Sequence, residues 1–160
     1  MADKAVQPIP EGYRSVNSYL CVDDAARAID FYKEAFGATE RMRMEMPGGK
    51  IGHAEILIGD TIVMLADEMP EMNFRSPRTL GGPSCHFMLY VEDVDARVEQ
   101  AVKAGATLKK PVKDEFYGDR SGSVEDPFGH LWYISTHIED PEPEEIKRRL
   151  AAEMAQHAGA

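Results

Sequence analysis

Apolar and polar positions alternate along residues 15–22, with Val16, Leu20 and Val22 in one register, and this period of two predicts a strand. Asp23 and Asp24 follow as an acidic cap for the orphan N–H groups of a helix. The helix carries its apolar stripe at Ala25, Ala28, Ile29, Tyr32 and Phe36, and Gly37 ends it. Residues 39–46 alternate Met42, Met44 and Met46 with Arg41, Arg43 and Glu45, which predicts a half-buried strand whose methionines fill a core or an interface. After the turn Pro47-Gly48-Gly49, residues 52–58 place Ala54, Ile56 and Ile58 on one face and His53, Glu55 and Leu57 on the other. Gly59-Asp60 turns into a strand over 61–66. Downstream, the same periods predict a strand over 84–91, a helix over 93–104, strands near 107–112, 122–125 and 131–136, and a helix over 144–156 with Ile146, Leu150 and Met154 four apart.

The chain therefore says nearly the same thing twice. Leu20-Cys-Val22-Asp-Asp24 and Leu89-Tyr-Val91-Glu-Asp93 stand 69 residues apart, and the helix stops at Gly37-Ala38 and Gly105-Ala106 stand 68 apart. The prediction is an α+β fold of two βαβββ modules whose strands form a curved mixed sheet around a cleft, plus a C-terminal helix. Residues 1–12, with Pro8, Pro10 and Gly12, read as a flexible arm. The first module spans 13–66. A linker rich in Pro and Gly, with a lid-like role, spans 67–83. The second module spans 84–139 and the helical tail 140–160.

Charge narrows the partners. A net charge of −10 excludes nucleic acid, whose phosphates need clustered Lys and Arg, and an anionic membrane surface. No apolar run reaches membrane-span length, so a cytoplasmic protein is expected. Two cysteines, Cys21 and Cys85, make no disulfide framework.

Three features together resemble the vicinal oxygen chelate superfamily, which includes glyoxalase I, bleomycin-resistance proteins and extradiol dioxygenases. They are the repeated module, the Asp24–Gly37 run and Asp126-Pro-Phe-Gly-His130 before the last strand. Gly52-His-Ala-Glu55, the 116–122 phrase and Trp132 through His137 resemble its PhnB-like branch more narrowly. The resemblance covers about residues 13–140. In metal-dependent relatives each module gives one ligand from its first strand and one from its last. Carried over one by one, these positions are Asn17, Met64, His86 and Tyr133. Only His86 is a family-type ligand. A thioether at Met64 and a phenol at Tyr133 stand where the family has Glu. By strand period all four face the cleft, opposite Leu20, Val63, Phe87 and Ile134.

Other candidates join this set. His53 and Glu55, two apart on one strand, read as a general base with its partner, or as ligands of a shifted metal site completed by His86; equally they form a polar pair on a wet face. Tyr19, Tyr90 and Tyr133 add phenols suited to organic ligands, or to core packing. Arg120 holds an anionic group, or pairs with Asp119 or Glu125. The expected function is binding of a small organic molecule in the inter-module cleft by a homodimer, with no cofactor. Two alternatives remain open: a lyase, isomerase or dioxygenase using Zn, Ni, Fe or Mn at a shifted site, and a non-catalytic structural or regulatory dimer.

Overall fold

The computed structural model describes residues 6–158. Of the expected N-terminal arm, residues 1–5 lie outside the described residues, as do residues 159–160 of the tail. The element order is β1 (Ser18–Val22), α1 (Ala25–Phe36), β2 (Thr39–Glu45), β3 (Ile51–Ile58), β4 (Thr61–Asp67), a 3-10 turn (Pro70–Met72), α2 (Pro77–Leu80), β5 (His86–Tyr90), α3 (Val94–Lys103), β6 (Thr107–Asp114), β7 (Asp119–Glu125), β8 (Leu131–His137) and α4 (Pro143–Ala158). The two βαβββ modules are present as expected, each forming a four-stranded mixed sheet, ordered β1-β4-β3-β2 and β5-β8-β7-β6. In each, the first strand pairs parallel to the last and the other pairs are antiparallel. The chain divides into two compact units, Met1–Ser84 with Pro127–Gly129, and Cys85–Asp126 with His130–Ala160.

In the first unit, Asp24 caps α1 by accepting Arg27 N–H, and Gly37 closes it in the left-handed conformation at φ 68. The apolar stripe of α1 packs against one sheet face, burying Leu20, Val22, Ile56 and Leu65 together with Ala28, Ile29 and Tyr32. Phe31, Tyr32, Phe36 and Phe128 make an aromatic cluster in this core. Residues 67–83 are folded, with Met69 bridged to Phe74 and the buried Ser76 capping α2. The Glu68 carboxylate, held below its ordinary range by the Thr79 hydroxyl and by Ser76, fastens this segment.

Three sequence expectations change here. The strand predicted from residue 15 begins at Ser18, because the Asn17 amide accepts Arg14 N–H and donates to Arg14 C=O, closing a local turn. Val16, expected in register with Leu20, is therefore 88 % exposed. Met42 and Met44 of β2 and Met46 just after it are 39, 57 and 46 % exposed, so of the two places expected for them they are not in the core. Met42 and Met44 lie on the face without a helix, paired with Glu55 and His53, while Glu40, on the opposite face, pairs with Lys33 of α1 and with Arg43.

The second unit repeats the plan. Asp93 caps α3 through Ala96 N–H, and Val94, Val98 and Ala101 are buried, as are Val124, Trp132 and Ile134 of β7 and β8. Phe87 stacks on Trp132 at 4.7 Å. The stripe of α4 is largely uncovered, with Leu150 and Met154 exposed, and the helix is fastened by ion pairs of Arg149 to Glu139 and Glu153 to Lys113.

A shared device ends both modules. Asp67 at the end of β4 accepts Ala25 N–H at 3.0 Å and Ile51 N–H at 2.7 Å. Thr136, 69 residues on, accepts Val94 N–H at 2.9 Å and donates to Val91 C=O at 2.9 Å. Each side chain pins the first turn of a helix to the last strand of its sheet.

Candidate functional site

Strand register builds one row across the helix-free face of the first unit: Tyr19 on β1, Met64 on β4, Glu55 on β3 and Met42 on β2. The pleat adds His53 two residues before Glu55 on the same face. A hydrogen-bonded chain runs through this row. Tyr13 donates its hydroxyl to Glu55 Oε1, His53 Nε2 lies 3.4 Å from the same oxygen, and His53 Nδ1 lies 2.9 Å from Tyr19 Oη. Exposure rises along it, from 8 % of the Glu55 side chain to 25 % for His53, with Tyr19 46 % exposed. The Tyr13 hydroxyl holds the Glu55 carboxyl below its ordinary range, and His53 and Arg41 act in the same direction. Burial pushes the Tyr19 phenol up, so it stays protonated at neutral pH. Phe74 packs its ring 5.4 Å from that of Tyr19, and Arg41 stands over the Tyr13 ring at 5.8 Å.

The second unit has the corresponding row Met88, Tyr133, Ser123 and Lys110. His86 is exposed, its ring 5.8 Å from that of Tyr133. Tyr90 donates its hydroxyl to Asp119 Oδ2 at 2.8 Å, and His137 Nδ1 meets Asp119 Oδ1 at 2.7 Å. Asp119 first and Asp140 second push the His137 imidazole above its ordinary value.

Among the residues singled out from sequence, Tyr19, His53, Glu55 and Met64 therefore come together on the first unit's helix-free face. His86, Tyr90 and Tyr133 share the equivalent face of the second unit. Asn17 turns its amide back onto Arg14. Arg120 is corrected: it lies in register with Thr136 on the α3 side of its sheet, and its guanidinium bonds Asp95 at 2.7 and 2.9 Å and Asp114 at 2.8 Å. Both sides of its fork are occupied, and neither predicted partner, Asp119 or Glu125, is used. Sequence reasoning missed Tyr13, the first residue of the first module and outside any periodic pattern, and Phe74, in the 67–83 linker.

The family's metal positions do not fit a divalent ion. Asn17 has spent both amide atoms on Arg14, Met64 offers a thioether, and Tyr133 is a phenol. The shifted site fits no better, since both His53 nitrogens and Glu55 Oε1 are engaged with each other and with Tyr19 and Tyr13. Among the described residues no three His, Cys, Asp or Glu side chains are grouped so as to hold a metal ion.

Comparison with known proteins agrees with this architecture. A family model described as the Glyoxalase/Bleomycin resistance protein/Dioxygenase superfamily matches residues 15–134. Protein Mb0911c of Mycobacterium bovis is 40% identical over 142 residues, covering 87% of this chain and 93% of that one. The crystal structure of the Arabidopsis thaliana At5g48480 product superposes with a TM-score of 0.63 at 27% identity, over 77% of this chain and 98% of that one. Lactoylglutathione lyase GLX1 of Arabidopsis thaliana is 26% identical over 137 residues, covering 85% of this chain and 48% of the lyase.

Proposed function

We propose, from the premise that this chain belongs to the glyoxalase/bleomycin resistance/dioxygenase superfamily, that it binds a small organic molecule on a helix-free sheet face without the metal ion of its metal-dependent relatives. One observation carries this reading. In the row Tyr19–Met64–Glu55–Met42, the position of a family carboxylate ligand is the thioether of Met64, and the carboxylate stands one strand over at Glu55, already bonded to Tyr13 and His53. Such a row offers apolar carbon and sulfur with a few fixed polar atoms, the usual make-up of an organic-ligand site. The Gly52-His-Ala-Glu55 phrase that supplies the polar atoms also supports a place beside the PhnB-like proteins.

The likeness to a lactoylglutathione lyase raises a second reading, a metal-dependent lyase. The donor set, with Met64 and Tyr133 in place of carboxylates and the Asn17 amide bonded to Arg14, speaks against it.

A thermal-shift screen tests the binding reading. A specific ligand at one hundred times its Kd should add about 2.7 kcal/mol of stability. The gain should shrink when Phe74→Ala removes the ring beside Tyr19. A screen across cationic, anionic and neutral aromatic classes with no hit would leave a structural dimer as the better account.

A further inference from the structure

The direction of the hydrogen bonds on the first unit's helix-free face names the class of ligand. The Glu55 carboxylate is ionised and can only accept. With the imidazole of His53 in its neutral form, the Nε2 that faces this carboxylate at 3.4 Å carries the ring proton. His53 Nδ1 is then a bare acceptor, and the Tyr19 hydroxyl must donate to it across 2.9 Å. The only hydrogen on Tyr19 Oη is thus turned inward, and the exposed side of that oxygen presents lone pairs alone.

We infer that this face selects an organic cation with N–H donors on an apolar body, such as a protonated primary or secondary amine, which donates to Tyr19 Oη. The inference rests on the binding reading above and adds the ligand's charge and polarity. Glu55 supplies a negative charge behind the Tyr19–His53 bond in a nearly covered position, where screening by water is weak. Tyr19 and Phe74, with ring centroids 5.4 Å apart, supply aromatic carbon, and Met42 and Met44 extend it with exposed thioethers. The Arg41 guanidinium already stands over the Tyr13 ring, showing that this face accommodates a cation against a phenol. The chain's net charge of −10 favours the same sign of ligand. An anion or a pure acceptor would meet the Tyr19 lone pairs with the Glu55 charge behind them, and the guanidinium on this face, that of Arg41, stands over the Tyr13 ring rather than beside Tyr19 Oη.

Three probes of one shape and different charge test this: phenethylamine, 2-phenylethanol and 3-phenylpropionate, titrated into the full chain and followed by ¹H–¹⁵N NMR to about 20 mM, where a millimolar binder is saturated. The expected result is shifts at Tyr19, His53 and Phe74, with phenethylamine binding at least about tenfold more tightly than the alcohol, as a charge-assisted hydrogen bond provides. Glu55→Gln should erase that preference. If this variant does not fold, Tyr19→Phe carries the test, since it keeps the ring and should cost the amine more than the alcohol. Equal or tighter binding of the alcohol or the acid at these residues overturns the cation inference and leaves the binding reading standing. No shift with any of the three overturns both.

Discussion

Replacing Asp67 by alanine should destabilise the first unit by about 3–4 kcal/mol, because two buried N–H groups lose their acceptor at once and each costs about 1–3 kcal/mol when left unmade. Asp67 is 4 % exposed, and the residues whose N–H groups it accepts, Ala25 and Ile51, are 0 and 1 % exposed. Water therefore does not take over either bond. The loss falls on the first turn of α1 and on the start of β3, the strand that carries His53 and Glu55. The second module provides its own control. Asp67→Thr installs the side chain found at Thr136, whose single oxygen can serve Ala25 N–H as Thr136 serves Val94 N–H. It should recover about half of the loss, leaving roughly 1–2 kcal/mol from the unpaired Ile51 N–H. Urea unfolding followed by circular dichroism gives the stability change, and native-state hydrogen exchange at Ala25 and Ile51 locates it. A loss below about 1 kcal/mol for Asp67→Ala, or equal losses for the two variants, would refute the reasoning, since either result means that the two bonds are not separately required.

Further outcomes follow from other sites. Burial, with Glu68 and Asp67 nearby, pushes the Cys21 thiol up to about 12, whereas Cys85 is exposed, so a thiol reagent at neutral pH should modify one cysteine quickly and the second only on unfolding; two fast equivalents would contradict the assignment. The His137 imidazole should titrate in NMR above the ordinary value of about 6.5, and Asp119→Asn should lower its midpoint. Because the folded value is raised, the stabilisation from this group is complete below the unfolded value and is lost as pH rises through the folded one. Gly118→Ala should cost more than about 2 kcal/mol in urea unfolding, as its φ of +101 disfavours a side chain and a Cβ there would lie 2.2 Å from Glu139 O.

The modules were legible in the sequence because the signals were local and came twice. Asp24 and Asp93 cap their helices where the repeat places them, and the alternation of β3 separates His53 and Glu55 from Ala54 and Ile56 as drawn. What escaped depended on partners distant in sequence. Tyr13 is 42 residues from the carboxylate it bonds, and Asp67 is 42 from Ala25, so neither bond leaves a periodic trace. Arg120 was misplaced for a different reason. Its strand begins at Asp119, earlier than the run of small residues suggested, and in a pleated strand that start fixes which face an arginine takes. The methionine stripe shows a limit of pattern reading: alternation separates the two faces of β2 and does not say which one the helix covers. Here α1 takes the face of Glu40, leaving Met42, Met44 and Met46 exposed.

The proposed function holds that the superfamily's metal positions serve an organic ligand here, with His86 the one family-type donor left among Asn17, Met64, His86 and Tyr133. Elemental analysis of the purified chain, made without a histidine tag, tests it most directly. The account predicts Zn, Ni, Fe and Mn all far below one equivalent, with no change in melting temperature on adding a chelator. One equivalent of any of these metals, lost in His86→Ala, would contradict it.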